Sequence, residues 1–434
     1  MTDARRLAFT HARLIDPSQQ LDGLGTLLIQ GDRIVDSGPN LAIPSDAEII
    51  DCKGLALLPG LVDMQVFTGE PGEEHRETLA TVSQAAAAGG VTHLAMMPNT
   101  SPVIDDAALV DYVLRRARAT SIVRVHPMAA ITKNCDGVHM SEFGLLQEAG
   151  AVAFTDGDRA VMNALTMRRA LSYAANFNAL IMQHAMDQDL QSAGVMHEGE
   201  LATRLGLAGI PVAAETAIID RDLRLVELTG GRYHIAQISA AESVATIRAA
   251  KARGLKVSCS VSATHLMLNE NDVESYRTFA KLDPPLRSEG DRLALIDGIA
   301  DGTIDVIVSG HNPQDAEAKR QTFAQSAYGT VGVETLLAGV LTLYHADELD
   351  LLSLLATITS HPAALLGLQA GSLEAGRKAD FSLVNLDAPW IVDADNLRSK
   401  SKNAAIDGRK LQGVVAACYV SGKRVFDLGD NNNE

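Results

Sequence analysis

The chain has 434 residues, of which 47% are hydrophobic and 4% aromatic, and its formal net charge is −17. This length suits one barrel-sized domain with an addition, or two to three smaller domains. The negative charge argues against proteins that bind nucleic acid or anionic membranes. No apolar run approaches the ~20 residues that cross a bilayer, and the N-terminus lacks the apolar core of a secretory signal. We therefore expect a cytoplasmic protein.

Strand-like patterns occur at both ends of the chain. Near the N-terminus, residues 7–15 alternate between apolar and polar, and segments 26–29 and 33–35 flank Gly31 and Asp32, a dipeptide typical of a hairpin turn. Beyond about residue 370 the pattern returns at 381–386, 413–420 and 423–426. We expect residues 1–56 and 370–434 to form one composite β-sandwich domain.

Between residues 57 and 369, short apolar runs alternate with longer amphipathic segments. The runs predict buried strands at 61–67, 93–97, 123–130, 151–155, 179–184, 233–238, 256–261 and 306–309. The intervening segments predict helices, among them 76–88, 107–119, 162–176, 241–253 and 292–300. Eight buried strands, each followed by helical sequence, indicate a (β/α)8 barrel, because parallel strands need crossover connections. The predicted fold class is α/β, a TIM-type barrel over 57–369 with the small β-domain.

Several motifs follow one another in an order that is known from one family. They are PGLVDMQVFTGEPG at 59–72, AGGVT at 88–92, MPNT at 97–100, KLDPPLR at 281–287, GTVGVET at 329–335 and GSLEAGRKAD at 371–380. Each motif alone is a weak signal, but their order and spacing are specific. Together they resemble the dihydroorotases of the amidohydrolase superfamily over almost the whole chain.

The resemblance implies a zinc centre, since dihydroorotases interconvert carbamoyl aspartate and dihydroorotate with a metal-activated hydroxide. The family takes two metal ligands from a His-x-His pair on the first strand, where alternate residues share one face. In this chain Gln65 and Phe67 occupy those positions. Phenylalanine has no lone pair and a glutamine amide is a poor ligand for zinc, so the pair is lost.

The remaining metal positions of the family are partly kept. Asp156 matches the aspartate that bridges the metals, and His184 matches the histidine of the fifth strand. The sixth-strand histidine is replaced by Gln237, and the eighth-strand aspartate, a ligand and general base, is replaced by Gly310. A zinc site needs three or four protein ligands. The resemblance therefore implies neither a bound metal nor any other cofactor here.

The substrate-binding positions are also changed. The family's substrate-binding arginine aligns with Gly69, which removes a guanidinium suited to a carboxylate. A histidine expected near the eighth-strand loop is Gln314, whereas Asn99, a substrate contact in the family, is kept. Asn99 in its turn is as compatible with backbone capping as with ligand contact. We expect no catalytic residues.

Asp156, His184 and Asn99 remain as a relic of the family's site. We expect Asp156 and His184 to pair with each other in the old cavity, with weak residual metal binding as the alternative. His265 is expected to serve packing or the surface, and His311 to point away from the cavity.

A preserved framework with an altered site favours a catalytically inactive dihydroorotase homologue, a pseudoenzyme. Similar proteins in some bacteria are structural partners of aspartate transcarbamoylase in pyrimidine biosynthesis. The resemblance implies that this chain binds the transcarbamoylase catalytic chain in a dodecamer of six plus six, and that it forms a homodimer.

Two other functions stay open at this point. The chain could be a cyclic-amide hydrolase, dihydroorotase-like, with an altered or single-metal site. It could also be a sensor that binds a pyrimidine intermediate in the relic cavity, although Gly69 offers such a ligand no contact.

Overall fold

The computed structural model describes residues 5–429, and its strands alternate with helices through the middle of the chain. The strands are β1 (Arg6–Asp16), β2 (Leu21–Gln30), β3 (Arg33–Gly38), β4 (Glu48–Asp51), β5 (Ala56–Pro59), β6 (Leu61–Val66), β7 (Val91–Met96), β8 (Arg124–Pro127), β9 (Leu180–His184), β10 (Met196–His197), β11 (Gly209–Ile210), β12 (Arg232–Ala236), β13 (Val257–Ser262), β14 (Val306–Val308), β15 (Phe381–Ile391), β16 (Lys410–Val420) and β17 (Lys423–Asp427).

The helices lie mostly between the strands of the central region. They are α1 (Leu79–Ala88), α2 (Ala107–Thr120), α3 (Phe143–Ala149), α4 (Ala164–Ala175), α5 (Gln188–Gln191), α6 (Glu200–Leu205), α7 (Ala213–Thr229), α8 (Ala241–Ala252), α9 (Ala263–Met267), α10 (Glu289–Ala300), α11 (Ala316–Lys319), α12 (Leu336–His345), α13 (Leu351–Ala356) and α14 (Ser360–Leu366). Over residues 5–429, none of these helices combines the length and apolarity that crossing a membrane requires.

The two chain ends share one sheet. Its strands run in the order β17-β16-β15-β5-β1-β2-β3, with β4 alongside β1. The predicted hairpin is present, since β2 and β3 pair antiparallel on either side of Gly31, which has a φ of +61°. Buried rings of Phe9, Phe381 and Tyr419 pack edge to face between the N-terminal and C-terminal strands, with centroids 4.8 and 5.1 Å apart. These aromatic contacts join the two ends of the chain.

The central strands close into a parallel barrel. One group is β6-β7-β8 and the other is β9-β12-β13-β14. The predicted fourth strand is reduced to a bridging residue, Phe154, which pairs with Ala129 on one side and Ile181 on the other. A bridge between Val66 and His311 closes the ring. The predicted fold class, a (β/α)8 barrel with a sheet domain from both chain ends, is confirmed.

The first barrel helix begins later than its periodicity predicts. Thr78 caps α1 by accepting a hydrogen bond from the backbone N–H of Thr81, and the Thr81 hydroxyl completes a capping box. Residues 76–78, predicted as helix, are therefore loop. This difference places Arg76 in the loop after β6, at the end of the barrel where the strands finish.

Candidate functional site

A cavity of about 350 Å³ opens at the carboxyl ends of the barrel strands. Gln65 and Phe67 contribute from the end of β6, His184 from β9, and Gln237 and Gly310 from the segments after β12 and β14. Tyr328 closes part of its rim, where its hydroxyl donates a hydrogen bond to the carbonyl of Gly194 at 2.6 Å. Most of the positions that the sequence singled out thus meet in one place, although they are far apart along the chain, while Asp156 and Gly69 are not among the residues that line the cavity.

The replaced metal positions do not supply another ligand set. The side-chain amide of Gln237 lies close to Gly310, so that a Cβ on Gly310 would stand 2.7 Å from Gln237 Nε2. Gly310 also has a φ of +61°, which disfavours an aspartate there. Within residues 5–429, no three His, Cys, Asp or Glu side chains are grouped closely enough to hold a metal ion. The side chains present do not fit a zinc centre.

The carboxylate of Asp156 is hydrogen-bonded to another part of the protein. It accepts hydrogen bonds from the backbone N–H of Thr132, at 2.8 Å, and from the Thr132 hydroxyl. Burial raises the pKa of Asp156 to about 6, although these hydrogen bonds oppose the rise. The predicted pairing of Asp156 with His184 is wrong, because the Thr132 peptide and hydroxyl satisfy the carboxylate first.

His184 instead faces Asp283. Its Nε2 lies 3.2 Å from Asp283 Oδ1, and both side chains are largely buried against the cavity. Burial alone would lower the pKa of His184, but the Asp283 carboxylate outweighs it and the pKa is raised. Burial likewise opposes ionisation of Asp283, but His184 and Gln191 hold the pKa of that carboxyl below its usual value. Within the described residues, neither ring nitrogen of His184 makes a hydrogen bond of good geometry, so the approach of Nε2 to Asp283 Oδ1 is a contact between charged groups.

Sequence reasoning missed Asp283. It belongs to the KLDPPLR motif at 281–287, which the sequence analysis used only as part of the family resemblance. An acidic residue within a family motif was the available signal, but only the folded chain shows that it meets His184.

His311 is among the residues around the cavity, but its imidazole has no exposed surface and is enclosed by the protein, in agreement with the expectation that it points away from the cavity. Its Nδ1 accepts a hydrogen bond from the backbone N–H of Gly332 at 3.2 Å, which leaves the proton on Nε2. That Nε2 faces Glu77 Oε2 at 3.5 Å, and neither side chain is exposed. Burial would raise the pKa of Glu77, but hydrogen bonds from His311, Ser399 and Thr81 hold it below its usual value.

Three other predicted positions occupy different surroundings. Asn99 lines the cavity, and its buried Oδ1 accepts no hydrogen bond from any described residue. Gln314 is engaged, since its Nε2 donates to the carbonyl of Tyr328 at 2.8 Å and to Asn312 Oδ1 at 3.2 Å. Asn99 is therefore available to a ligand, whereas Gln314 supports the loop around the rim. His265 is buried between Ser262 and the carbonyl of Pro284.

Gly69 cannot carry the family's arginine. Its φ is +68°, and an added Cβ would stand 2.4 Å from the carbonyl oxygen of Glu77 and 2.8 Å from that of Glu73. Backbone atoms cannot move aside as a flexible side chain does. The turn at Gly69, where Glu73 N–H donates to the Gly69 carbonyl at 2.6 Å, therefore depends on glycine.

A pair of alanine variants separates backbone strain from this close contact. Gly54 has a similar positive φ of +83° but nothing within 4 Å of an added Cβ. We expect Gly54→Ala to destabilise the fold by about 1 kcal/mol, and Gly69→Ala by about 3 kcal/mol, since its backbone must also shift. Urea denaturation measures both. Equal losses would show that the close contact at Gly69 relaxes without cost.

Arg76 enters the cavity from the loop after β6. Its guanidinium lies over the ring of Phe67 with Cζ 4.1 Å from the centroid. Nε donates to the carbonyl of Pro313 at 2.8 Å, Nη2 donates to Asn312 Oδ1 at 2.7 Å, and Nη1 pairs with Glu73. Sequence reasoning assigned this residue to a helix and did not count it among the site residues.

The chain is similar to known proteins over almost its whole length. A family model described as dihydro-orotase-like matches residues 54–243. A dihydroorotase of Ehrlichia chaffeensis is 43% identical over 425 residues, covering 97% of this chain and 95% of that protein. The chain belongs to the dihydroorotase-like family. A second relative, a dihydroorotase of Geotalea daltonii, is 44% identical and covers 95% of this chain and 97% of its own length.

Solved structures show the same fold outside this group of relatives. The L-hydantoinase (dihydropyrimidinase) of Arthrobacter aurescens superposes with a TM-score of 0.87 at 24% identity, covering 97% of this chain and 96% of that one. The dihydropyrimidinase of Brevibacillus agri gives a TM-score of 0.84 at 20% identity, covering 97% and 95%. At these identities the likeness establishes the architecture of the dihydroorotase-like chain.

The prediction that the chain is not an enzyme is wrong. It rested on the lost metal ligands alone, but relatives that match 95–97% of this dihydroorotase-like chain carry the name of an enzyme. These findings indicate an amidohydrolase, whose site differs from the zinc pattern.

Proposed function

We propose that this protein opens and closes a cyclic amide of the dihydroorotate type without a zinc centre. The observation that carries the proposal is the buried His184–Asp283 pair at the cavity of a chain 43% identical to named dihydroorotases. An imidazole held by a carboxylate is a common arrangement for moving a proton at a reacting amide. The altered site thus retains one group suited to the chemistry.

The cavity residues suggest how the reaction would proceed. Opening an amide requires a water oxygen to add to the carbonyl carbon and a proton to reach the leaving nitrogen. In this proposal the proton is held at His184 Nδ1, while Asp283 fixes the ring from the other side. The buried Oε1 of Gln65 and Oδ1 of Asn99 have no partner among the described residues and would accept the N–H groups of the ring.

The test is turnover in both directions after metal removal. We expect the protein to hydrolyse dihydroorotate and to cyclise carbamoyl aspartate after dialysis against a chelator, with less than stoichiometric zinc by elemental analysis. A zinc-dependent hydrolase treated in parallel should lose its activity. The proposal fails if no turnover is seen in either direction, and equally if turnover is present but disappears with the chelator and returns with zinc.

We also propose that the chain assembles with the aspartate transcarbamoylase catalytic chain, six copies of each, and pairs with a second copy of itself. An assembly role is compatible with hydrolase activity. Support comes from the family resemblance described above, and Leu145, Leu165 and Leu228 on α3, α4 and α7, which are 60%, 51% and 62% exposed, are candidate contacts. Size exclusion with light scattering on the mixed proteins tests it, and separate elution at all ratios would reject the association.

A further inference from the structure

Among the described residues that line the cavity, one is an arginine or a lysine. That residue is Arg76, whose side chain is 15% exposed. The acidic residues that line the cavity are Asp158, which is exposed at the rim, and Asp283, whose charge is matched by His184, while Glu73 pairs with Arg76 beside the cavity. Arg76 is therefore the principal fixed positive charge that a ligand in the cavity would meet.

The guanidinium is held rigidly in place. Its face lies on Phe67, and the carbonyl of Pro313 and the side chain of Asn312 accept hydrogen bonds from Nε and Nη2. A guanidinium that is stacked on a ring and already hydrogen-bonded loses little further conformational freedom when it binds a ligand. The loop that carries it is shaped by the glycine turn at Gly69.

Some N–H groups of the Arg76 guanidinium have no acceptor among the described residues. An arginine has five N–H groups, and three of those of Arg76 are directed to Pro313, Asn312 and Glu73. Two remain, one on each terminal nitrogen, without a partner among the described residues. Two N–H groups on neighbouring nitrogens match the two oxygens of a carboxylate.

We propose that Arg76 binds the carboxylate of an acidic cyclic amide and so determines the specificity of the cavity. In this proposal Arg76 binds the substrate in place of the arginine that the resemblance implies at the position of Gly69. The inference rests on the proposed function for the identity of the ring, but binding can be measured without turnover. Glu73, 31% exposed, shares the charge of Arg76 and limits the affinity for an anion.

Calorimetry with two ligands tests the proposal. L-dihydroorotate carries a carboxylate, and 5,6-dihydrouracil is the same ring without it. We expect the unaltered protein to bind dihydroorotate roughly 10- to 100-fold more tightly. Arg76→Gln should abolish that preference, Arg76→Lys should keep part of it, and Glu73→Gln should increase it. Equal affinities for the two ligands, or binding of neither, in the unaltered protein would overturn the proposal.

Controls distinguish a binding role from a structural one. Arg248 lies on the outer helix α8 and pairs with Asp301, so Arg248→Gln should leave both affinities unchanged. If Arg76→Gln does not fold, Arg76→Lys and Glu73→Gln decide, and a Glu73→Gln variant with unchanged preference contradicts the proposal. Binding that depends on Arg76 without any turnover would reject the proposed function alone, whereas equal turnover of both compounds would reject the role of Arg76 alone.

Discussion

Replacing His184 with alanine is expected to lower turnover of a cyclic amide by a factor of about 10² to 10⁴, which is the usual contribution of a positioned acid–base group. The reason is that His184 is the buried imidazole of the cavity that has a carboxylate at one ring nitrogen and nothing at the other. Steady-state kinetics in both directions measures the effect. A matched control is His11→Ala, because His11 is 77% exposed on the sheet domain.

Asp283→Asn distinguishes proton transfer from mere packing at the same place. Asparagine keeps the shape of the side chain but removes the charge that raises the pKa of His184. We therefore expect turnover to fall by less than in His184→Ala, and the limb of its pH profile that reports His184 to move to lower pH. Unchanged turnover in His184→Ala would remove this residue from the reaction, whatever the behaviour of Asp283→Asn.

The barrel could be predicted because its signal is local. Apolar runs at the period of a buried strand, separated by amphipathic segments, are sufficient to place seven of its strands within a few residues. The fourth strand is the exception, since Phe154 alone bridges its neighbours. An apolar run shows that a segment is buried, but whether it completes a ladder depends on the strands beside it.

The site could be predicted only where the family supplies an alignment. Gln65, Gln237 and Gly310 were located correctly at the strand ends because the barrel fixes which residues face its opening. Arg76 and Asp283 were missed because they lie on loops, whose course depends on turns such as that at Gly69. The position of a loop side chain follows from contacts that are distant in sequence, and periodicity carries no information about them.

The same limit explains why the predicted partner of His184 was wrong. Asp156 and His184 are the two metal-ligand positions of the family that this chain retains, so pairing them was the simplest hypothesis. In the structure Thr132 satisfies Asp156, and Asp283 reaches His184 from a loop about a hundred residues further along the chain. The resemblance to the family did not show that Thr132 would satisfy the buried carboxylate of Asp156.

Glu77→Ala is expected to be the most destabilising single change considered for this chain, costing about 3–5 kcal/mol. The carboxylate has no exposed surface and faces His311 Nε2, which would lose its partner. It also accepts hydrogen bonds from the Ser399 hydroxyl and the Lys400 backbone N–H, which hold the C-terminal segment against the barrel. Removing it leaves several buried donors unsatisfied at once.

Urea denaturation at neutral pH measures this loss, and two variants make it interpretable. Glu77→Gln keeps an acceptor for Ser399 and Lys400 but gives up the charge, so its loss should be smaller than that of alanine. Glu317 is 85% exposed and pairs with Arg320 at the surface, so Glu317→Ala should stay within about 0.5 kcal/mol of the unaltered protein. If Glu77→Ala lowered the free energy of unfolding as little as Glu317→Ala, the carboxylate would not be joining the barrel to the C-terminal segment. The position of His311 beside the cavity would then need an explanation other than its contact with Glu77.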